Sequence, residues 1–130
     1  MTESPKIRIL VADDDQDILD LLTFVLTHSG YEVVGVVDGS AAIAAIEAEP
    51  PKLAILDVMM PRMSGIEVLQ RVRENVATKN LHVILFSVIT SESVVAAGFA
   101  AGANEFIKKP VNLHELIHIV NSFLGRSESE

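Results

Sequence analysis

The sequence has no cysteine and no tryptophan. Without thiols, disulfide bridges and thiolate zinc sites are excluded. Aromatic residues are few, with one Tyr and five Phe, so Val, Ile, Leu and Ala must fill the interior. Positive charge is also scarce: 10 Lys and Arg stand against 18 Asp and Glu, for a net charge of -8. That balance argues against direct nucleic-acid binding, which needs a cationic surface, and against an anionic membrane surface. No apolar run approaches the roughly 20 residues of a membrane span. The opening residues Met1-Thr2-Glu3-Ser4-Pro5-Lys6 lack the pattern of a signal peptide. The expectation is a cytoplasmic protein with no membrane partner. It should hold one domain over residues 7–124, preceded by an extension over 1–6 and followed by a polar tail over 125–130.

What is present is a set of short apolar runs that each stop at a polar residue. Ile7-Arg8-Ile9-Leu10-Val11-Ala12 ends in three acids, Asp13, Asp14 and Asp15. Leu53-Ala54-Ile55-Leu56 ends at Asp57, Leu81 to Phe86 ends at Ser87, and the run from Asn104 to Lys108 ends beside Lys109. Tyr31 to Val37 is a further run, followed by the turn Asp38-Gly39-Ser40. Short runs bounded by turn residues predict buried strands. Between them the period lengthens. Ile18, Leu21, Leu22, Val25 and Leu26 lie at helical spacing, as do Ile66, Leu69, Val72 and Val76. Ala-rich stretches at 41–48 and 91–101 also predict helices, and Leu113, Leu116, Ile117, Val120 and Leu124 form the stripe of a last one. Ser64 with Glu67 and Asn112 with Glu115 have capping-box spacing. Strand and helix alternate about five times with no hairpin signal. This predicts a doubly wound parallel α/β sheet with helices on both faces.

In such a sheet, ligands bind at the C-terminal ends of the strands, at the point where strand order reverses. With strand order 2-1-3-4-5, Asp13 and Asp14 meet Asp57. Three carboxylates that close repel, which raises the pKa of at least one and invites a hard divalent cation. Mg²⁺ suits a site with few protein ligands. Ser87 and Lys109 would flank Asp57 from the other side. A hydroxyl and an ammonium beside a metal–carboxylate site imply a visiting anion, and phosphoryl is the natural one. Asp57 would then be the nucleophile that forms an acyl phosphate.

Taken together, these pieces resemble the receiver domains of two-component response regulators, whose fold is flavodoxin-like, (βα)5. The matching segments are Ile9 to Asp15, Leu56 to Pro61 with Gly65, Phe86-Ser87, Gly102-Ala103 and Phe106 to Pro110. The resemblance covers residues 7–124. It implies that Asp57 accepts a phosphoryl group from a sensor histidine kinase or a histidine phosphotransfer protein. It implies Mg²⁺ held by Asp13, Asp14, Asp57 and the backbone carbonyl of Met59. Ser87 and Lys109 would stabilise the phosphoryl group, with Lys108 as a rival to Lys109, and the Lys-Pro bond would be cis. Ser87 and Phe106 would form the switch that alters the surface of the fourth helix, fifth strand and fifth helix. The implied protein is a phosphoacceptor, not an enzyme turning over external substrates.

Two departures from the family pattern stand out. Val88 follows Ser87 where a small residue is usual, and Met59 and Ile89 hold the two positions flanking the incoming water. All three are apolar, so they are read as controlling access, with slow hydrolysis of the acyl phosphate expected. The helix over 91–101 lacks the charged residues by which DNA-binding regulators often pair. The expectation is therefore a stand-alone receiver acting on a downstream effector protein, without direct nucleic-acid contact, with a phosphorylation-dependent homodimer left open. Two rivals remain. A Mg²⁺-dependent phosphatase of the haloacid dehalogenase type would want Thr or Val where Asp17 stands. A receiver-like interaction domain that works without phosphorylation would have no need of all five chemical positions.

Overall fold

The computed structural model describes residues 6–126. The expected extension, apart from Lys6, and the last four tail residues lie outside that range. The elements run β1 (Arg8–Ala12), α1 (Gln16–His28), β2 (Glu32–Val36), α2 (Gly39–Ala48), β3 (Leu53–Asp57), α3 (Gly65–Glu74), β4 (His82–Ser87), α4 (Glu92–Ala100), β5 (Glu105–Lys108) and α5 (Leu113–Phe123). The strands form one sheet in the order β2-β1-β3-β4-β5, all paired in parallel. This is the receiver-type flavodoxin-like arrangement expected from the sequence. Among the described residues, no helix is long and apolar enough to cross a membrane.

Alternation along the strands sorts the core into two layers. Leu10, Ala12, Ala54, Leu56, Val83 and Leu85 face α2 and α3, while Ile9, Val11, Leu53, Ile55, Ile84 and Phe86 face α1 and α5. Both faces are covered, so the strands read as continuous apolar runs rather than alternating ones. Each large aliphatic side chain fully buried there contributes about 1.5–3 kcal/mol.

Helix starts follow side-chain chemistry. Asp15 caps α1 by accepting from the backbone N–H groups of Asp17 and Ile18, and Asp38 caps α2 through Ala41. Ser64 and Glu67 form the expected reciprocal capping box of α3, and Asn112 accepts from Glu115 at α5. Gly102, with φ 108°, follows the last turn of α4 in the left-handed conformation that ends helices. One expectation fails. Val76 does not extend the buried face of α3, because Asn75 is extended (φ -96°, ψ 121°) and ends the helix. Val76 is 82% exposed, and Val68 takes the buried place instead. Arg73 then ties the end of α3 to the α4–β5 turn, donating to the carbonyls of Gly102, Lys79 and Leu81 and to the Asn104 side chain.

The register positions the polar strand ends. Ala12 pairs with Leu56, so Asp13 and Asp57 are the next residues on neighbouring strands. Asp57 pairs with Phe86, and Phe86 with Ile107. By alternation Asp13, Asp57, Phe86 and Lys109 belong to the α1/α5 face. Ser87 belongs to the opposite face, with Leu85 and its register partner Phe106.

Candidate functional site

The C-terminal sheet edge gathers the acids as the sequence predicts. Ligand atoms of Asp13, Asp14 and Asp57 all lie within 4.8 Å of one another. Asp13 and Asp57 are buried, Asp57 being only 2% exposed, whereas Asp14 stands in solvent. Lys109 bridges the two buried acids: its Nζ lies 2.9 Å from Asp13 Oδ2 and 3.3 Å from Asp57 Oδ2. Lys108 is exposed and points away from this face, which separates the two lysines as alternation requires. The Lys109–Pro110 bond is cis, as the family pattern implies.

The other carboxylate oxygens are held by backbone donors. The N–H of Asp15 donates to Asp13 Oδ1 (2.9 Å), and that of Met59 to Asp57 Oδ1 (3.0 Å). The turn after β3 can make the second bond because Gly65 packs against the Asp57 carbonyl, where a Cβ would overlap the carbonyl oxygen. Burial raises the Asp57 carboxyl from the usual 3.8 to about 6; the Met59 amide opposes this, the Asp13 charge adds to it and Lys109 lowers it. A buried carboxylate pair with one shared ammonium is short of positive charge, and its hard oxygen donors fit a divalent cation.

Ser87 is fully buried at the end of β4, and its Oγ accepts from the Ile89 N–H at 3.0 Å. The Lys109 N–H donates to the Ser87 carbonyl at 2.9 Å, which fixes the β4 and β5 ends together. Phe106 is half-buried on the Ser87 face of the sheet, packed against the α2/α3 core layer. Gly98 of α4 makes room for its ring, since a Cβ there would sit 3.1 Å from Phe106 Cδ2. Met59, Val88 and Ile89 are all exposed at this edge. The sequence reading missed Phe86. Its buried ring lies under Lys109, with Nζ 4.6 Å from the centroid. Only the lateral register reveals that contact, although an aromatic residue just before Ser87 was visible in the sequence.

A doubly wound parallel sheet with buried acids at its switch point and a lysine bridging them is the architecture of a receiver-type α/β protein. The chain belongs to the response regulator receiver domain family, whose description matches residues 9–121. It is 35% identical over 123 residues to "DNA-binding response regulator MtrA" of Mycolicibacterium smegmatis, covering 95% of this chain and 53% of that protein. It is 35% identical over 121 residues to "Alkaline phosphatase synthesis transcriptional regulatory protein PhoP" of Bacillus subtilis, covering 93% and 50%. It also superimposes on the CheY-like response regulator receiver domain protein of Methanospirillum hungatei with a TM-score of 0.88 and 31% identity, covering 93% of this chain and 95% of that one.

The chain thus spans about half the length of the curated relatives it matches. This corrects one expectation. The expectation that the protein keeps apart from nucleic acid is overturned by relatives named for DNA binding and transcriptional regulation. The charge argument failed because it speaks only for the surface of these 130 residues.

Proposed function

We propose that this receiver is a phosphorylation-dependent switch in which Asp57 accepts a phosphoryl group from a histidine kinase or phosphotransfer protein. The observation that carries this reading is the buried Asp57 carboxylate, bridged to Asp13 by Lys109 at the switch point of the sheet. An Asp57 oxygen attacks the phosphorus of a phosphohistidine; the P–O bond forms as the P–N bond breaks, and the imidazole leaves with the electron pair. Mg²⁺ would be held by Asp13, Asp14, Asp57 and the Met59 carbonyl, and would neutralise the phosphoryl charge when bound. Lys109 shifts from the carboxylates to the phosphoryl oxygens, and the Ser87 hydroxyl donates to another. Movement of Ser87 frees space on its own face of the sheet. The Phe106 ring then turns inward and changes the surface of α4, β5 and α5.

Met59, Val88 and Ile89 form an apolar rim that hinders water, so the acyl phosphate persists. The reaction is stoichiometric, with no turnover of generic phosphate esters, and takes place in the cytoplasm. The names of the relatives speak of DNA binding and transcriptional regulation, and a DNA-linked output is the activity taken to be governed by the switch. The test is incubation with acetyl phosphate and Mg²⁺ followed by intact mass. A single Mg²⁺-dependent phosphoryl adduct, absent from Asp57→Ala and lasting well beyond seconds after donor removal, is expected. Continuous release of phosphate, or an adduct retained in Asp57→Ala, contradicts the reading.

A further inference from the structure

The four oxygens of Asp13 and Asp57 are all engaged. Backbone N–H groups of Asp15 and Met59 hold the two Oδ1 atoms, and Lys109 Nζ reaches both Oδ2 atoms. An incoming cation therefore meets oxygens that already have partners. The backbone donors are fixed by the turns that follow β1 and β3. Lys109 is the partner that can move, because its ammonium sits at the end of a flexible stem.

Something must keep that ammonium between the carboxylates. The Phe86 ring, 4.6 Å away, presents its negative π face to the charge. Phe86 is 1% exposed and pairs in register with Asp57 on one side and Ile107 on the other. It is thus locked on the same sheet face as all three charged residues. Leu would fill similar space without a π face, so the ring has a role separable from packing.

We propose that Phe86 is a positioning residue that seats Lys109 as the resident counter-cation of the Asp13–Asp57 pair, and that this seat sets how tightly the site takes a divalent cation. Lys109 and a divalent cation would compete for the same pair of buried carboxylates. Phe86 strengthens the lysine's side of that competition. The inference rests on the metal reading given above and adds its regulation.

The test is calorimetric titration with MgCl₂ of wild type, Asp13→Asn, Lys109→Met, Phe86→Leu, Phe86→Met, Lys108→Met and the double variant Phe86→Leu/Lys109→Met. Removing the Lys109 charge should tighten Mg²⁺ binding about tenfold, in keeping with a close charge in a partly buried site. Phe86→Leu and Phe86→Met should each tighten it about two- to threefold, the size of one cation–π contact. Lys108→Met, which removes an equal but solvated charge next in sequence, should leave affinity unchanged. In the Lys109→Met background, Phe86→Leu should add nothing, since the two act as one unit. Two results overturn the proposal: Lys109→Met binding no more tightly than wild type, or a Phe86→Leu effect that persists without Lys109. Loss of binding in Asp13→Asn supports ion placement on these carboxylates. Binding retained in Asp13→Asn overturns the metal reading itself, and the proposal with it.

Discussion

The two ends of β1 carry the same charge pattern in different surroundings. At its start, Arg8 lies 2.7 Å from both Glu32 and Glu49. Just past its end, Asp13 shares Lys109 with Asp57. Each is one cation between two carboxylates. At the first, the side chains are 25%, 50% and 70% exposed, and water screens the group. At the second they are 11%, 0% and 3% exposed. Arg8 and Glu49 hold their charges more firmly through their mutual hydrogen bond. Asp57, by contrast, has its carboxyl pushed up to about 6, mainly by burial. Burial therefore sets the two clusters apart. The solvated one is satisfied, and the buried one remains short of positive charge.

The sharpest way to break this contrast is to disturb the turn that buries Asp57. Gly65→Ala places a Cβ against the Asp57 carbonyl and 3.3 Å from the Leu56 Cβ, with rigid backbone on one side. A loss of about 3 kcal/mol is expected in denaturant unfolding, together with loss of phosphoryl acceptance.

The next effect concerns pH. The folded Asp57 carboxyl titrates near 6 against 3.8 for the ordinary group, so the folded state binds the proton more readily than the unfolded one. Its contribution to stability is therefore favourable at low pH, is lost as pH rises from about 4 to about 6, and is fully lost above that. Asp57→Asn should then stabilise the metal-free protein by up to about 3 kcal/mol at pH 7 and much less at pH 4. Chemical denaturation at the two pH values checks this. Ser64→Ala should cost about 1 kcal/mol through loss of the α3 cap, read as a modest fall in melting temperature. At the other end of the scale, Arg8→Ala should leave phosphoryl acceptance unchanged and barely move the melting temperature.

Much of this was legible in the sequence, and the limits were physical. Short apolar runs ending at Asp13, Asp57, Ser87 and Lys109 define strands and their C-terminal ends, so the order of a doubly wound sheet suffices to bring these residues to one edge. Alternation alone separates Lys108 from Lys109. The Phe86 contact needs the lateral pairing of Asp57 with Phe86 and of Phe86 with Ile107, and sequence spacing does not encode cross-strand register. Val76 was misplaced because helical periodicity runs on through Asn75, whose extended backbone ends α3. The separation from nucleic acid was wrong because a charge count describes only the residues counted.

The most direct test of the contrast is an amide ¹H–¹⁵N correlation spectrum recorded before and after addition of beryllofluoride, a phosphoryl mimic, with Mg²⁺. The account predicts large shifts at Asp13, Asp57 to Met59, Ser87 to Ile89 and Lys109, with Arg8, Glu32 and Glu49 unmoved. An unchanged spectrum, or shifts centred on the Arg8 cluster, would contradict it.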